Sequence, residues 1–140
     1  MSRPARPEHA VTIEVPVAFH QCDPLGVVWH GRYFEYLERA RCALLASVGL
    51  DVPQIVELGF RLYVTEARCR YMVALAYGDT ARVTAWFGTR APLLRVSYDI
   101  RDAAKDAWCA RAATVLATTD AAGVLLPRTP DAILARLPAR

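Results

Sequence analysis

The sequence lacks the paired spacings by which cysteine and histidine side chains usually hold a metal ion. Its four cysteines, at positions 22, 42, 69 and 109, include no C-x-x-C pair, and its three histidines form no H-x-x-x-H pattern. A zinc site and a dithiol redox site are therefore not expected, and we predict no bound metal. We expect the cysteines to be small buried residues in a reducing cytoplasm.

Long apolar runs and blocks of like charge are also missing. No run approaches the about 18–20 apolar residues that a membrane-spanning helix needs, and the net charge of +3 comes from scattered arginines. Neither a membrane span nor nucleic-acid binding is expected, because the latter usually needs a basic stripe or a known module. The opening residues, MSRPARPEHA, carry arginines with no apolar stretch behind them, unlike a signal peptide. We expect a soluble, cytoplasmic protein.

What the sequence does contain is enough apolar side chain for one well-filled core. Hydrophobic residues make up 54% of its 140 residues, and this length is typical of a single domain. No internal repeat and no linker divides the chain. We predict one domain over residues 10–140, preceded over residues 1–9 by a flexible tail with two prolines and mixed charge.

Two segments in the first third of the chain have clear hydrophobic periods. Residues 11–20 alternate apolar and polar side chains, which predicts a half-buried strand with Phe19 on its buried face. Pro16 removes one ladder donor and favours an edge position. Residues 32–48 repeat apolar side chains at a helical period around more than half of the circumference. We therefore expect a helix that is wrapped by other structure and ends at Gly49.

The predicted helix carries few charges. Past its first residue they are Glu35, Glu38, Arg39 and Arg41, whose spacings favour the pairs 35/39 and 38/41. Arg41 falls inside the apolar arc of the helix. We expect Glu38 and Arg41 to form an ion pair buried against the sheet.

The remainder of the chain alternates in hydrophobicity as antiparallel strands do. Four strands are predicted: residues 60–73, 81–90, 93–101 and 108–118. A change of phase near Thr65 or Glu66 predicts a β-bulge, and a short helix is expected within residues 129–137. This order predicts an α+β fold, in which a curved antiparallel sheet wraps around one long central helix. Hotdog and cystatin-like folds both satisfy it.

The stretch before the helix, HQCDPLGVVWHGR, combines one carboxylate with a turn and an apolar run. Pro24 favours extended backbone at Asp23, and Gly26 permits a turn that a side chain would hinder. The run Val27–Trp29 is expected to be buried and to shield the loop from water. Taken alone, Asp23 could equally be a turn-former or a helix cap.

His30 and Gly31 are expected at the helix start, where the first N–H groups have no partner within the helix. Such groups can hold a carbonyl oxygen that is becoming an oxyanion. A carboxylate beside them is the arrangement that acyl-transfer chemistry needs.

The segment DPLGVVWHGRYFEYLERAR resembles the signature of the 4-hydroxybenzoyl-CoA thioesterase family of hotdog proteins, which includes the acyl-CoA thioesterases associated with the Tol-Pal envelope system. The resemblance is dense over residues 15–48. It implies a hotdog thioesterase in which Asp23 acts as general base on water or as nucleophile through a mixed anhydride. It also implies that the His30 N–H polarises the thioester carbonyl, with Gly31 supporting the same helix end. The resemblance does not specify whether the His30 imidazole also orients the substrate or the attacking water.

The same resemblance implies a substrate and an assembly. The substrate is expected to be an acyl-CoA or an acyl group on carrier protein, with coenzyme A as part of the substrate and no separate cofactor. Trp29 and Tyr33 are expected to contact the substrate, and Arg90 and Arg95 to contact the phosphates of CoA. The active site is expected at a subunit interface of a homodimer or homotetramer. Further arginines follow one strand: Arg61, Arg68 and Arg70.

Two other functions fit parts of the sequence. A non-hydrolytic hotdog or cystatin-like module could hold an acyl chain or an aromatic ligand, although a pure binder has no need of a carboxylate in this loop. A hotdog dehydratase would pair a histidine with an acidic residue on the central helix, and the loop here has a different form. The loop does not specify whether the acyl group is aromatic or aliphatic.

Overall fold

Five strands and three helices account for most of the regular structure in the computed structural model, which describes residues 6–139. The strands are β1 (Val11–Pro16), β2 (Phe60–Tyr71), β3 (Thr80–Phe87), β4 (Leu94–Asp102) and β5 (Trp108–Asp120). The helices are α1 (Tyr33–Ser47), α2 (Val52–Glu57) and α3 (Asp131–Leu134), and single 3-10 turns cover Phe19–Gln21 and His30–Arg32. The sheet is antiparallel in the order β1-β3-β4-β5-β2, which confirms the predicted α+β arrangement. No helix within the described range is long and apolar enough to cross a membrane.

α1 packs against β1 and β3 through one apolar side. Tyr36, Leu37, Ala40 and Leu44 form this side and are each at most 1% exposed. Their spacing of three or four residues brings them to the same side of the helix once per turn. Burial of this stripe against the sheet is therefore what holds the helix in place.

The exposed side of α1 is wider than the sequence predicts. Phe34 is 37% exposed, so the sheet leaves part of the helix surface uncovered. Glu38 is exposed and forms no ion pair with Arg41 within residues 6–139, which corrects the predicted buried pair. The Arg41 side chain reaches instead toward the sheet, where Nη1 donates to the Tyr98 hydroxyl at 3.3 Å.

The strands confirm two detailed expectations. The register of β2 against β5 shifts between Val64 and Glu66, which places a bulge where the sequence changes phase. The alternating apolar positions of β4 are each at most 2% exposed: Leu94, Val96, Tyr98 and Ile100.

β1 ends earlier than the sequence predicts. Beyond Pro16 the chain enters the 3-10 turn Phe19–Gln21, which interrupts the alternation. Phe19 is 76% exposed and meets the Tyr77 ring edge-on at 5.6 Å between ring centroids. Its predicted place on the buried face is therefore wrong. β1 does lie at an edge of the sheet, as Pro16 favours.

The segment just before β1 contacts the sheet. Arg6 pairs with Asp99 at 2.5 Å, and the Phe87 N–H donates to Nε2 of His9 at 3.0 Å. Residues 1–5, the remainder of the expected flexible tail, lie outside the described residues.

The four cysteines are free thiols. Cys109 is buried as expected, and Cys22 and Cys69 are half-buried. Cys42 is exposed, because it falls on the side of α1 that the sheet does not cover. The expectation of four buried cysteines is therefore wrong at this position.

Leu44→Ala should lower the free energy of unfolding by about 2–5 kcal/mol, because it leaves a cavity where a fully buried side chain was. Leu125→Ala is the matched control: it removes the same atoms from a side chain that is 58% exposed, and should change stability by no more than about 0.5 kcal/mol. Urea unfolding followed by circular dichroism measures both. Equal effects would contradict the assignment of this stripe to the core.

Candidate active site

Residues 23–27 form a closed turn that holds the Asp23 carboxylate. The Asp23 N–H donates to the Val27 carbonyl at 2.8 Å, and the Gly26 N–H donates to the Asp23 carbonyl at 2.9 Å. Gly26 has a φ of +83°, a left-handed conformation that suits glycine. The Leu25 N–H donates to Oδ1 of Asp23 at 2.9 Å. The other oxygen, Oδ2, has no partner among the described residues and is free to contact a ligand.

This turn is docked on the chain that follows β2. The Val28 N–H donates to the Leu75 carbonyl at 2.8 Å, and Val27 forms a β-bridge with Ala76. Val28 is only 4% exposed, but Trp29 is 49% exposed. The expected buried run is therefore wrong for Trp29, whose indole covers the helix start and does not enter the core.

Gly31 makes room for that indole. A Cβ atom at position 31 would lie 2.2 Å from Cζ3 of Trp29, far inside any permitted contact. The indole centroid is also 4.8 Å from that of the His30 ring. The structure thus gives Gly31 a steric reason for being glycine, which the sequence alone did not supply.

The helix start leaves two N–H groups free. The Arg32 N–H donates to the Trp29 carbonyl at 2.9 Å, and the Tyr33 N–H donates to the His30 carbonyl. The N–H groups of His30 and Gly31 have no acceptor within residues 6–139. Free N–H groups at the start of a helix carry partial positive charge and attract oxygens that bear negative charge.

Asp23 and His30 line one open pocket of about 280 Å³. Its other walls include Tyr33 from α1, Tyr71 at the end of β2 and residues 72–74. Of the residues singled out in the sequence, the structure therefore brings Asp23, His30 and Tyr33 together. A carboxylate in a pocket beside a helix start that has free N–H donors can act on the two ends of a polarised carbonyl group.

Two arginines expected near the substrate do not reach this pocket within one chain. Arg90 lies beside His9 and donates through Nη1 to the Pro138 carbonyl. Arg95 lies in a separate groove on the sheet face away from α1. Trp29 does not line the pocket either, although it covers the helix start beside it.

Tyr71 is a pocket residue that sequence reasoning missed. Its hydroxyl donates to the His30 carbonyl at 2.7 Å, and its ring meets Tyr33 edge-on at 4.9 Å between centroids. Part of the ring is exposed, but the burial around the hydroxyl, with Cys69 and Tyr33 nearby, raises the pKa of Tyr71 to about 12. The hydroxyl therefore stays a donor well above neutral pH. In the sequence, Tyr71 is only one of several residues that alternate with polar side chains along a predicted strand.

Gln21 is a second missed residue, and it joins the loop to the helix. Its Oε1 accepts from the Tyr36 hydroxyl at 2.8 Å, and its Nε2 donates to Oε2 of Glu35 at 3.2 Å. Glu35 also pairs with Arg32 at 2.6 Å, in place of the expected partner Arg39. The hydrogen bond from Arg32 lowers the pKa of Glu35, while burial raises the pKa of Tyr36. Gln21 thus satisfies a buried hydroxyl in the core.

Comparison with solved structures identifies the fold. A 1,4-dihydroxy-2-naphthoyl-CoA thioesterase from Synechocystis superposes with a TM-score of 0.79 at 23% identity, covering 91% of this chain and 95% of that one. A variant of 4-hydroxybenzoyl-CoA thioesterase in complex with 4-hydroxybenzoyl-CoA superposes with a TM-score of 0.78 at 17% identity, covering 93% and 99%. These likenesses confirm the predicted hotdog fold.

Comparison of sequences identifies the family. A Synechocystis protein named "Putative esterase sll0410" is 45% identical over 69 residues, which are 49% of this chain and 42% of that protein. This chain spans about half the length of the curated relatives it matches. The profile of the thioesterase-like superfamily matches residues 17–137, nearly the whole of the described domain. The resemblance noted in the sequence is thereby confirmed, and this chain belongs to the thioesterase-like superfamily.

Proposed function

We propose that this chain hydrolyses an acyl thioester, either an acyl-CoA or an acyl group on carrier protein, to the free acid and the thiol. One observation carries this proposal: the Asp23 carboxylate shares a pocket with His30, at a helix start with two free N–H groups. Membership of the thioesterase-like superfamily and the names of the two CoA thioesterase neighbours support a CoA thioester as substrate. Four free cysteines are compatible with the proposed cytoplasmic location.

In the proposed mechanism, the thioester oxygen accepts hydrogen bonds at the start of α1. The N–H of His30 is the main donor and that of Gly31 lies beside it, so negative charge on the oxygen meets donors that are already in place. Oδ2 of Asp23 then removes a proton from an attacking water, or attacks the carbonyl carbon itself to form a mixed anhydride that water hydrolyses. In both routes the C–S bond breaks, the thiolate gains a proton and the acid is released.

Asp23→Asn should lower kcat/KM by about 10²–10⁴-fold, because it removes the general base or nucleophile. The Asn side chain keeps an Oδ1 that can accept from the Leu25 N–H, so the turn should remain folded. Asp120→Asn is the matched control. Asp120 also accepts backbone N–H bonds at a turn, from Ala122 at 2.9 Å and Val124 at 3.0 Å, but it does not line the pocket.

Thiol release from a panel of benzoyl-, hydroxybenzoyl-, short-chain and long-chain acyl-CoAs and their acyl-carrier forms measures this effect. The Asp120→Asn variant should keep wild-type activity. Full activity in both Asp23→Asn and Asp23→Ala would refute the mechanism. Tight binding without turnover across the whole panel would favour the non-hydrolytic module.

We further propose that Tyr71 positions the oxyanion donors. The carbonyl that accepts its hydroxyl belongs to the peptide group whose N–H is that of Gly31. A hydrogen bond accepted by a peptide carbonyl fixes the peptide plane and makes the N–H of the same group a stronger donor. Tyr71 would therefore act on the reaction without touching the reacting atoms.

Tyr71→Phe should lower kcat about fivefold with little change in KM, since it removes one hydrogen bond worth about 1 kcal/mol. Alkaline titration of phenolate absorbance should lose the group that ionises near pH 12. Tyr77→Phe is the matched control: it removes a hydroxyl that has no hydrogen-bond partner among the described residues, from a side chain that is 64% exposed, and should leave kcat unchanged. Wild-type kcat in Tyr71→Phe would show that the contact is structural only.

We propose a homodimer joined along β2, and leave open whether two dimers form a tetramer. β2 is a 12-residue strand at an edge of the sheet, and its side chains Tyr63 and Val64 are 45% and 38% exposed. Long apolar edge strands are normally covered. The pocket lies at the Tyr71 end of the same strand, so a second copy paired there would border it. Contacts of Arg90 and Arg95 with CoA are proposed only within such a dimer.

The double variant Tyr63→Lys, Val64→Lys should shift the protein to monomer, because four added charges would meet across a two-fold axis. Light scattering after size-exclusion chromatography measures the molecular mass. Thiol release should be lower in the monomeric variant than in the wild-type protein. Val124→Lys, on a side chain 58% exposed near the end of β5, is the control and should keep the dimer. A monomeric wild-type protein with full activity would contradict the proposal.

A further inference from the structure

We propose that the apolar pocket between α1, α2 and β2 binds a carboxylate attached to an apolar body, and that Arg41 holds the carboxylate. This space, which we call the Arg41 pocket, has a volume of about 350 Å³. It shares no lining residue with the Asp23 pocket. The inference rests on the side chains of a single chain and does not depend on the proposed hydrolysis.

Three parts of the fold supply apolar side chains to the Arg41 pocket. Leu45 lines it from α1, Ile55 and Val56 from α2, and Leu62 and Leu116 from the sheet. Pockets for small molecules have volumes of roughly 300–1,000 Å³, with mostly apolar walls and a few polar groups that orient the ligand. The walls therefore suit a hydrocarbon chain or ring, and the polar groups decide what that body must carry.

Arg41 is the polar group that distinguishes this pocket. Four charged residues line it, of which Glu38, Asp51 and Arg61 are exposed, whereas Arg41 is half-buried. Arg41 has no carboxylate partner within residues 6–139. A charge that is drawn away from water without a partner costs free energy, and a bound counter-charge removes part of that cost. The position of Arg41 therefore indicates an anionic group on the ligand.

One hydrogen bond fixes the guanidinium group and leaves two of its nitrogens unused. Nη1 donates to the Tyr98 hydroxyl at 3.3 Å, and that hydroxyl is 2.7 Å from Oγ1 of Thr114. Burial raises the pKa of Tyr98, so the hydroxyl stays neutral and does not offset the charge of Arg41. Nε and Nη2 of Arg41 have no acceptor among the described residues and are not buried. Both remain free to donate to a ligand.

A carboxylate fits these free donors better than a phosphate does. Nε and Nη2 form one edge of the guanidinium group, which can donate two parallel hydrogen bonds to the two oxygens of a carboxylate. A carboxylate balances the single charge of Arg41, whereas a phosphate monoester carries a charge of about −1.5 to −2 at neutral pH. Glu38 and Asp51, which also line the pocket, would repel that additional charge.

The proposed dimer identifies one source of such a ligand. If two copies pair along β2 antiparallel about a two-fold axis, the Tyr71 end of one strand lies beside the Phe60 end of the other. Tyr71 lines the Asp23 pocket, and residues 61–64 line the Arg41 pocket. The Asp23 pocket of one copy would then adjoin the Arg41 pocket of the other. The carboxylate could therefore be the far end of an acyl group bound for hydrolysis, or it could belong to a free carboxylic acid.

Binding of octanoate to the whole wild-type protein, measured by calorimetry beside its neutral analogue octanamide, tests the site. The two ligands have the same apolar chain, so a difference in affinity between them comes from the carboxylate. Octanoate should bind about tenfold more tightly or better, as expected for hydrogen bonds between two charged groups. Equal binding of the two ligands, or binding of neither, would overturn the proposal.

Substitution of Arg41 separates ligand binding from a structural role. Arg41→Gln should weaken octanoate binding about tenfold or more and change octanamide binding less than about twofold. Arg39→Gln, which removes the same charge from an exposed position on α1, is the matched control and should change neither affinity. Tyr98→Phe removes the hydroxyl that Arg41 contacts but keeps the charge, and should keep the preference for octanoate. Equal weakening of both ligands in a folded Arg41→Gln protein would show that Arg41 is structural only.

A change of shape gives an independent test. Val56→Trp fills the apolar part of the pocket from α2 without altering charge, so it should abolish binding of octanoate and octanamide alike. Thermal unfolding shows whether the variant is folded. Unchanged octanoate binding in the folded variant would place the carboxylate elsewhere and contradict the proposal.

Thioester kinetics identify the source of the carboxylate, and this comparison alone rests on the proposed function. Acyl-CoAs whose acyl chain ends in a carboxylate are compared with acyl-CoAs of equal chain length that end in a methyl group. If Arg41→Gln lowers kcat/KM about tenfold for the first kind only, the pocket holds the far end of the acyl group. If octanoate binds and neither kcat/KM changes, the pocket takes a free carboxylic acid. Both outcomes support a carboxylate site, and the binding measurements stand even if no thioester is hydrolysed.

Discussion

The carbonyl oxygen of His30 is the point on which the candidate site depends. It accepts the Tyr33 N–H at the start of α1 and the Tyr71 hydroxyl at the end of β2. One acceptor thus joins the helix start to the strand that forms the edge of the sheet. Because α1 is held in turn by its buried stripe, its free N–H groups have a fixed position relative to the sheet. The chemistry we propose needs that rigidity, since donors in place before the reaction stabilise charge without reorganising.

The loop before α1 meets a second constraint, which is to present a carboxylate without leaving backbone groups unpaired. Asp23 does so through its own turn, in which its N–H, its carbonyl and one carboxylate oxygen are all hydrogen-bonded. Gly26 provides the left-handed backbone for this turn, and Gly31 leaves space for the indole that covers the helix start. The two glycines therefore have different tasks, one conformational and one steric.

β2 contributes to both faces of the sheet, because successive residues of a strand point to opposite faces. As an edge strand it also forms one free edge of the sheet. Tyr71 faces the helix side and lines the candidate pocket. Arg68 and Arg70 face the other side and line the groove that also holds Arg95. The free backbone edge between these faces is where we propose the second copy. A single edge strand would then link substrate and assembly.

The sequence alone determined the features that depend on local periodicity. It predicted α1, the alternation of β4, the bulge in β2 and the placing of Asp23 and His30 at the two ends of one loop. It could not determine which part of an apolar helix surface would stay uncovered, so Phe34 and Cys42 were misplaced. It treated Tyr71 as one more alternating residue of a strand, since its partner His30 is 41 positions away in the chain. The groove on the sheet face away from α1 likewise depends on strand register, which places the small residues Ala113 and Ser97 between Arg68 and Trp86. Contacts of this kind join residues that are remote in sequence, and only the tertiary structure decides them.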